Sequence, residues 1–263
     1  MKRFILTLTT IFICTIAYAH TINWYVGNTI LETTTCDSGE SITPPAAPYK
    51  YGYHFKEWLP YSARIEYLES TGTQYIDTGV IGKSSVRLLL QTLVPNADTH
   101  AYIGPIFGIR TNLGIFWAMF FSNYSPNTIR FDYGQQTSLN CTSSNSMQGK
   151  IVVIDMNNHN KASIYDTNHN LLCTQNLSTT TFTTGENLFL FASLDTRQGT
   201  PIFLGAPSVK IYSAKIYDND VLVRDFIPVL DPDGTPCMYD KVEKKFYYNA
   251  GTGQFIAGPV IWE

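Results

Sequence analysis

Apolar and polar residues alternate with a period of two along much of this chain, which is the pattern of strands that bury one face. The clearest example runs through 211–217, turns at Asp218-Asn219-Asp220 and returns through 221–229, which predicts a β-hairpin. Further strands are predicted at 85–93, 100–110, 113–121, 128–133, 150–156, 162–165 and 187–194. No stretch of helical length repeats its apolar residues at helical spacing. Many short strands with regular turn residues predict an all-β fold, a two-sheet antiparallel sandwich or jelly roll.

Two polar runs, 155–160 and 166–170, are predicted to form the tips of adjacent hairpins. They consist largely of Asn, Asp and His, whose side chains satisfy local backbone groups and tolerate positive φ. His159 and His169 lie in these tips and could meet as metal ligands. Two imidazoles without a third ligand make a poor zinc site, so plain polar loop residues are the favoured interpretation.

The first nineteen residues have the organisation of a secretory signal peptide. Residues 2 and 3 are basic, 4–16 form an apolar stretch too short for a membrane span, and Ala17-Tyr18-Ala19 supplies the small-x-small cleavage pattern. Cleavage before His20 is expected, with a retained membrane anchor as the alternative. The mature protein is predicted to be secreted, in the cell envelope or outside the cell, with no stable membrane span.

A compact β module is predicted next, at 20–60. Strands at 21–26 and 29–35 flank a Gly-Asn turn, and four aromatic side chains form the expected small core: Trp24, Tyr53, Phe55 and Trp58. The sequence 33–36, Thr-Thr-Thr-Cys, and the later Gly52-Tyr53-x-Phe55-x-x-Trp58 resemble the internalin-type B-repeat of bacterial surface proteins. This resemblance implies a small ubiquitin-like β fold that serves as a spacer or adhesion module.

The remainder, 61–263, is predicted to be one larger module. Its segment 65–259 is similar to the concanavalin A-like, laminin-G-like modules of bacterial and phage surface proteins. The motifs that carry this resemblance are Glu-Tyr-Leu-Glu-Ser-Thr-Gly-Thr-Gln-Tyr-Ile-Asp-Thr-Gly at 66–79, the hairpin described above, Met-Tyr-Asp-Lys-Val at 238–242 and Asn-Ala-Gly-Thr-Gly-Gln-Phe at 249–255. The resemblance implies a lectin-type sandwich that acts in carbohydrate or surface binding.

Charge and cysteine content narrow the function further. The chain holds 18 basic and 21 acidic residues, and loss of Lys2 and Arg3 with the signal would leave 16 basic ones, so the surface is mildly acidic. An acidic surface repels phosphate backbones, which argues against nucleic acid as a partner. Four cysteines would remain, which allow two disulfides in three connectivities or free thiols. The pair predicted here is Cys141 with Cys173, since both flank the same central hairpins.

Catalytic and metal motifs are missing from the sequence. There is no Glu-x-Asp-x-Glu strand, as a glycoside hydrolase on this fold would carry, and no Gly-x-Ser-x-Gly elbow. Asp231-Pro232-Asp233-Gly234 offers oxygen ligands for calcium but lacks the full calcium-loop pattern, so a turn is favoured. We therefore predict a non-enzyme without a cofactor.

Carbohydrate binding needs an exposed aromatic ring beside polar groups that fix the hydroxyls. The segment 113–133 offers such a set, and the predicted ligand-binding residues are Trp117, Asn123, Tyr124, Arg130, Asp132 and Tyr133. For Trp117 the favoured interpretation is nevertheless sheet core, because it shares the parity of Phe121 on one strand. The predicted function is non-catalytic recognition of a glycan or surface protein. A structural surface or phage-appendage module and a divergent glycoside hydrolase are the alternatives.

Overall fold

The computed structural model describes residues 19–26, 29–37, 40–49, 51, 58–95, 104–121, 128–142, 147–205 and 207–261. Within these residues the secondary structure is β throughout, which confirms the predicted fold class. The chain divides into two units, with the boundary between Leu59 and Pro60. The predicted signal peptide lies outside the described residues, apart from Ala19. Within the described residues, no helix is long and apolar enough to span a membrane.

The first unit contains one antiparallel hairpin, formed by β1 (Ala19–Val26) and β2 (Thr29–Asp37). The Trp24 indole N–H donates a hydrogen bond of 2.9 Å to Thr34 Oγ1 across the hairpin. Its ring meets the edge of Trp58, with the ring centroids 5.2 Å apart. Two of the four predicted core aromatics are thus in contact, whereas Tyr53 and Phe55 lie outside the described residues. The internalin-type, ubiquitin-like fold of 20–60 stays a prediction.

The second unit is built from two sheets. The first is an eight-stranded sheet, whose members are β5 (Ile76–Lys83), β7 (Pro105–Arg110), β8 (Phe116–Phe121), β9 (Thr128–Gly134), β10 (Gln136–Thr142), β14 (Thr183–Leu190), β15 (Ala192–Asp195) and β16 (Ile202–Gly205). Its main strand order is β10-β9-β8-β7-β14-β5, and β15 joins it by parallel pairing with β7.

The other is a twelve-stranded sheet with the main order β13-β12-β11-β6-β17-β18-β19-β20. These strands are β6 (Val86–Leu93), β11 (Ile151–Met156), β12 (Lys161–Asp166), β13 (Leu171–Asn176), β17 (Pro207–Asp218), β18 (Val221–Leu230), β19 (Pro236–Asp240) and β20 (Lys245–Tyr247). Four short strands complete it at one side: β3 (Ala63–Ile65), β4 (Leu68–Thr71), β21 (Ile256–Ala257) and β22 (Val260–Ile261).

A single apolar core joins the two sheets. Along β6 every second residue is buried, and Leu88 and Leu90 have no exposed surface. They belong to the same buried cluster as Trp117 and Phe131 of the eight-stranded sheet. Because each sheet buries one face in this shared cluster, the second unit is a β-sandwich. Its jelly-roll and concanavalin A-like topology stay predictions.

The predicted strand at 187–194 is in fact two strands. Phe191 adopts φ 69° between β14 and β15, and its N–H donates to the Ile106 carbonyl at 2.8 Å. A positive φ at a bulky residue interrupts the pleat, so β14 pairs antiparallel with β5 while β15 pairs parallel with β7. By contrast, the hairpin predicted from 211 to 229 is present as β17 and β18.

The predicted cysteine pair is bonded in the structure. Cys141 in β10 and Cys173 in β13 form a disulfide with their Cα atoms 5.7 Å apart. The other two cysteines of the described chain are free, Cys36 half-buried and Cys237 buried. Since β10 and β13 each end the main strand order of a sheet, this bridge ties the two sheets together at one edge.

Candidate ligand-binding site

The predicted aromatic residues of segment 113–133 lie in the core. Trp117 and Tyr133 have no exposed surface, and both belong to the cluster shared by the sheets. Their rings meet at 6.2 Å, and the Tyr133 hydroxyl donates to the Ser84 carbonyl at 3.0 Å. A sugar ring cannot stack on a buried face, so the prediction is corrected for these two side chains. Asn123 and Tyr124 lie outside the described residues.

Arg130 and Asp132 lie on the opposite face of β9. They alternate along the strand with Phe131 and Tyr133, which point into the core. The Arg130 guanidinium donates to both oxygens of Asp132, at 2.9 Å each. These two predicted site residues are therefore in contact with each other. Neither Trp117 nor Tyr133 places an exposed ring beside them.

A pocket of mixed aromatic and charged side chains lies at the other edge of the sandwich. It has a volume of about 510 Å³ and is lined by Asp77, Gly79, Arg224, Glu243, Lys245, Phe246, Tyr247 and Tyr248. β5 ends the main strand order of the eight-stranded sheet and β20 ends that of the twelve-stranded sheet. Residues from both edge strands thus line the pocket, opposite the edge that the disulfide closes.

Arg224 connects the two sides of this pocket. From β18 its Nε donates to the Thr78 carbonyl of β5 at 2.9 Å, and its Nη1 lies 2.7 Å from Glu243 Oε1. Gly79 adopts φ 66°, and a Cβ added there would lie 3.3 Å from Arg224 Nη2. Glycine at this position therefore gives the backbone its left-handed conformation and leaves room for the guanidinium.

Glu243 is held by two partners. Besides the Arg224 contact, its Oε2 accepts a hydrogen bond of 2.6 Å from the Tyr247 hydroxyl. This hydrogen bond is the largest influence that lowers the pKa of Glu243, and the positive charges of Arg224 and Lys245 lower it further. Burial of the ring and the hydrogen bond to Glu243 raise the pKa of Tyr247. Glu243 is therefore a fixed carboxylate and Tyr247 a neutral phenol at ordinary pH.

Tyr248 gives the pocket an accessible aromatic ring, with 48% of its surface exposed. Its hydroxyl donates to Asp231 Oδ2 at 3.0 Å. Burial, followed by this hydrogen bond, raises the pKa of Tyr248 to about 12. The anchored hydroxyl fixes the position of the ring, and nearly half of the residue's surface is accessible for contact with a ligand.

Asp77 faces the pocket from β5. Its Oδ1 accepts hydrogen bonds from the Gly79 N–H at 2.9 Å and from Asn187 Nδ2 at 3.0 Å. The carboxylate is thus oriented by its own strand and by β14. Asp77 and Glu243 bring two acidic groups to one pocket from positions far apart in the sequence, Asp77 near the start of the second unit and Glu243 near its end.

The residues considered for metal binding have other roles. Asp231 Oδ1 accepts from the N–H groups of Asp233 and Thr235, at 2.9 and 2.8 Å, so it closes the turn that the sequence predicts. His159 and His169 adopt positive φ in exposed hairpin tips. The described residues contain no group of three or more His, Cys, Asp and Glu side chains arranged to hold a metal ion.

Sequence reasoning missed every residue of this pocket. The available signal was local: three aromatic residues, 246–248, follow the turn 241–244 and Lys245, and the first two of them lie in the short strand β20. Such a run is unusual next to a turn, since at least one ring has to face outward. The partners from β5 and β18 could not be read from that signal.

Comparison with known proteins adds a distant likeness. No protein-family model matches the chain, and no curated protein matches it. Among solved structures it is similar to the 1.50 Å crystal structure of a "putative carbohydrate binding protein" from Bacteroides ovatus ATCC 8483, with a TM-score of 0.47 and 12% identity over 88% of this chain and 69% of that chain. This likeness assigns neither a family nor a ligand. The fold and the site define an all-β protein whose second unit is a sandwich with a pocket at one edge.

Proposed function

We propose that this chain is an exported, non-catalytic binding protein that recognises carbohydrate through the pocket between β5 and β20. The observation that carries the proposal is the position of the exposed Tyr248 ring in the same pocket as Asp77, Arg224 and Glu243. The pocket's volume of about 510 Å³ falls within the range usual for small-ligand sites.

The chemistry of the pocket suits a sugar. A pyranose ring has an apolar face that packs on an aromatic ring, while its hydroxyls donate to carboxylates and accept from guanidinium groups. The side chains that line the pocket include two acidic ones, Asp77 and Glu243, and two basic ones, Arg224 and Lys245, so the lining itself carries no formal excess of charge. A neutral saccharide is therefore the ligand class that we expect here.

Export is part of the same proposal. It rests on the signal-like residues 1–19 and on the Cys141–Cys173 disulfide, because disulfides form and persist in oxidising compartments. Adhesion to glycans at a cell surface is the role that we infer from these features together. Calcium is not required by the chemistry of the pocket.

One observation favours the hydrolase alternative, namely that two carboxylates line one pocket. A glycoside hydrolase needs one of its two carboxyl groups protonated near neutral pH, with a raised pKa. Glu243 has a lowered pKa because Tyr247 and Arg224 stabilise its charged form. It is thus poorly suited to protonate a leaving group, and we retain binding as the proposed function.

A glycan array, run with calcium and with a chelator, tests the proposal. We expect the mature protein to retain a set of neutral glycans in both conditions and Tyr248→Ala to lose at least tenfold in affinity, about the effect of losing one stacked ring. Tyr25→Ala is the matched control, since Tyr25 is 51% exposed but lies in the first unit. Equal loss in both variants, or no glycan bound, would contradict the proposal. Release of new reducing ends would instead favour the hydrolase.

A further inference from the structure

A second group of charged side chains lies on the outer face of the eight-stranded sheet, away from the core. Arg110 comes from β7, and Arg130 and Asp132 come from β9. We call these three residues the arginine cluster. Asp132 has no exposed surface and receives Arg130 Nε and Nη2 at 2.9 Å each, the Ser138 N–H at 2.9 Å and, as an ion pair, Arg110 Nη2 at 3.1 Å.

The cluster carries an excess positive charge. Two guanidinium groups share the single carboxylate of Asp132. Four donors already surround this carboxylate, so its oxygens have no further lone pair of good geometry to accept another hydrogen bond. The neighbouring Asp195 is itself paired with Arg197, and this pair adds no net charge. Among the described residues, the cluster therefore has one more positive than negative charge, unlike the balanced lining of the pocket at the β5–β20 edge.

Arg110 is also short of a hydrogen-bond acceptor. Only 12% of its side chain is exposed, and its Nε is buried without a hydrogen-bond partner among the described residues. Burial lowers the pKa of Arg110, and the nearby charges of Arg197 and Arg130 lower it further. Buried polar groups in folded proteins are nearly all satisfied, so a buried guanidinium N–H with no acceptor indicates a place for one.

Aromatic rings hold the two guanidinium groups in position. Phe120 lies under both, with its ring centroid 5.2 Å from the central carbon of Arg110 and 5.4 Å from that of Arg130. Phe116 contacts Arg110 in the same way, at 5.3 Å. Arg130 keeps 28% of its side chain exposed. The cluster is thus ordered before any ligand binds, and one of its guanidinium groups is open to solvent.

We propose that the arginine cluster binds the anionic group of an acidic saccharide, either the carboxylate of a uronic acid or a sulfate ester. Guanidinium groups match both anions in shape, and one such anion beside the partly exposed Arg130 supplies the missing negative charge. The carbohydrate part of this inference rests on the proposed function. The anion requirement rests on the cluster alone.

Three oligosaccharides of equal length test the inference by calorimetry and thermal unfolding: an oligogalacturonate, a sulfated heparin-type fragment and a neutral glucan. We expect one acidic probe to bind at this cluster and to raise the melting temperature, whereas any glucan bound in the β5–β20 pocket should give the same response in wild type and in the Arg130 variants. In Arg130→Gln the affinity for the acidic probe falls about tenfold or more, as expected for a lost hydrogen bond between charged groups. Arg130→Lys keeps the positive charge but loses the bidentate geometry, so its affinity for the acidic probe should lie between those of wild type and Arg130→Gln.

Arg87→Gln is the matched control. Arg87 also makes a bidentate pair with one aspartate, Asp155, at 2.7 and 2.8 Å, and is exposed to a similar degree, 26%. That pair is one to one, so its loss is expected to lower the melting temperature without changing the response to the acidic probe. If Arg130→Gln does not fold, Arg130→Lys gives the same comparison.

The two proposals fail separately. Unchanged affinity for the acidic probes in both Arg130 variants, or no response of the wild-type protein to either acidic probe, would overturn the anion site. Tyr248→Ala reports only on the neutral-glycan pocket and is expected to keep the acidic response. A preserved acidic response in a protein that binds no neutral glycan would leave the anion site standing and overturn the pocket.

Discussion

Single residues of the β5–β20 pocket depend on one another through Glu243. Its carboxylate receives the Tyr247 hydroxyl on one oxygen and faces Arg224 on the other. Arg224 in turn bonds the Thr78 carbonyl of the opposite sheet. A change at Tyr247 therefore alters the carboxylate first, and through Arg224 it reaches the contact between the two edges.

Tyr247→Phe is expected to lower stability in a pH-dependent way. Glu243 has a folded-state pKa below its ordinary value of 4.5, so its stabilising contribution is complete above about pH 4.5 and is lost as the pH falls through the folded pKa. Removing the hydroxyl reduces that shift. We expect a loss of about 1 kcal/mol or less at pH 7, because Glu243 keeps 39% of its side chain exposed.

Urea unfolding of wild type and Tyr247→Phe between pH 3 and pH 7 measures this difference. The gap between the two proteins should close at the acidic end, where Glu243 is protonated in both. Tyr165→Phe is the control, since the structure gives the hydroxyl of this half-buried tyrosine no hydrogen-bond partner within the described chain. A gap that is constant across the pH range would mean that the hydroxyl acts without the carboxylate.

The residues of the site show where sequence reasoning stops. All six residues of β8, Phe116–Phe121, are buried, so alternation along this strand cannot tell which ring faces the core. Trp117 proved to be core, as its shared parity with Phe121 allowed. Asp77 and Arg224 have no local signal that relates them, since only the pairing of strands at the two sheet edges brings them into one pocket.

At the scale of elements, the two edges of the sandwich differ. One edge is closed by the bridge between β10 and β13, and the Gln175 side chain adds a hydrogen bond of 2.7 Å to the Asn140 carbonyl there. The other edge, at β5 and β20, holds the pocket. The covalent link between the sheets and the pocket therefore lie at opposite edges of the sandwich.

Removal of the bridge is expected to destabilise the second unit. The two cysteines are 32 residues apart, and closing a loop of that length in the unfolded chain corresponds to about 3.7 kcal/mol. The double variant Cys141→Ser with Cys173→Ser should lose this amount in urea unfolding, and so should the reduced wild type. Cys36→Ser, a free thiol of the first unit, should unfold as the wild type does. Equal urea midpoints for the double variant, the reduced wild type and Cys36→Ser would show that the disulfide does not stabilise the second unit.

The strands themselves were largely predictable, but their partners were not. β17 and β18 follow from alternation around a short polar turn, which in the structure consists of Asn219 and Asp220, because sequence neighbours pair through local contacts. The division of 187–194 into two strands was not predictable from the sequence. It occurs at Phe191, which has a positive φ and donates its N–H to the Ile106 carbonyl of another strand. Pairing between distant strands, such as β6 with β17, depends on the packing of the whole sandwich and leaves no mark in either segment alone.

At the scale of the whole chain, the large buried core of the described residues lies in the second unit. Its buried apolar cluster runs from Ile65 to Phe255 and draws on both sheets. A separate small cluster around Val229 includes Tyr61, whose ring meets the edge of Tyr239 at 5.6 Å. The first unit, as far as the structure describes it, has one two-stranded hairpin, which is marginal in stability by itself.

The fragment 60–263 is therefore expected to unfold in one cooperative transition, at a melting temperature within a few degrees of that of the mature protein, and to bind the same glycans. A fragment that begins at Ala63 loses the Tyr61–Tyr239 contact and the Ser62 hydroxyl bond of 2.7 Å to the Asp231 carbonyl. Because Asp231 also anchors Tyr248, this shorter fragment should melt lower and bind glycans less tightly. Calorimetry measures the melting temperatures of the two fragments, and the glycan array measures their binding. Loss of glycan binding in the longer fragment would instead assign part of the ligand site to the first unit.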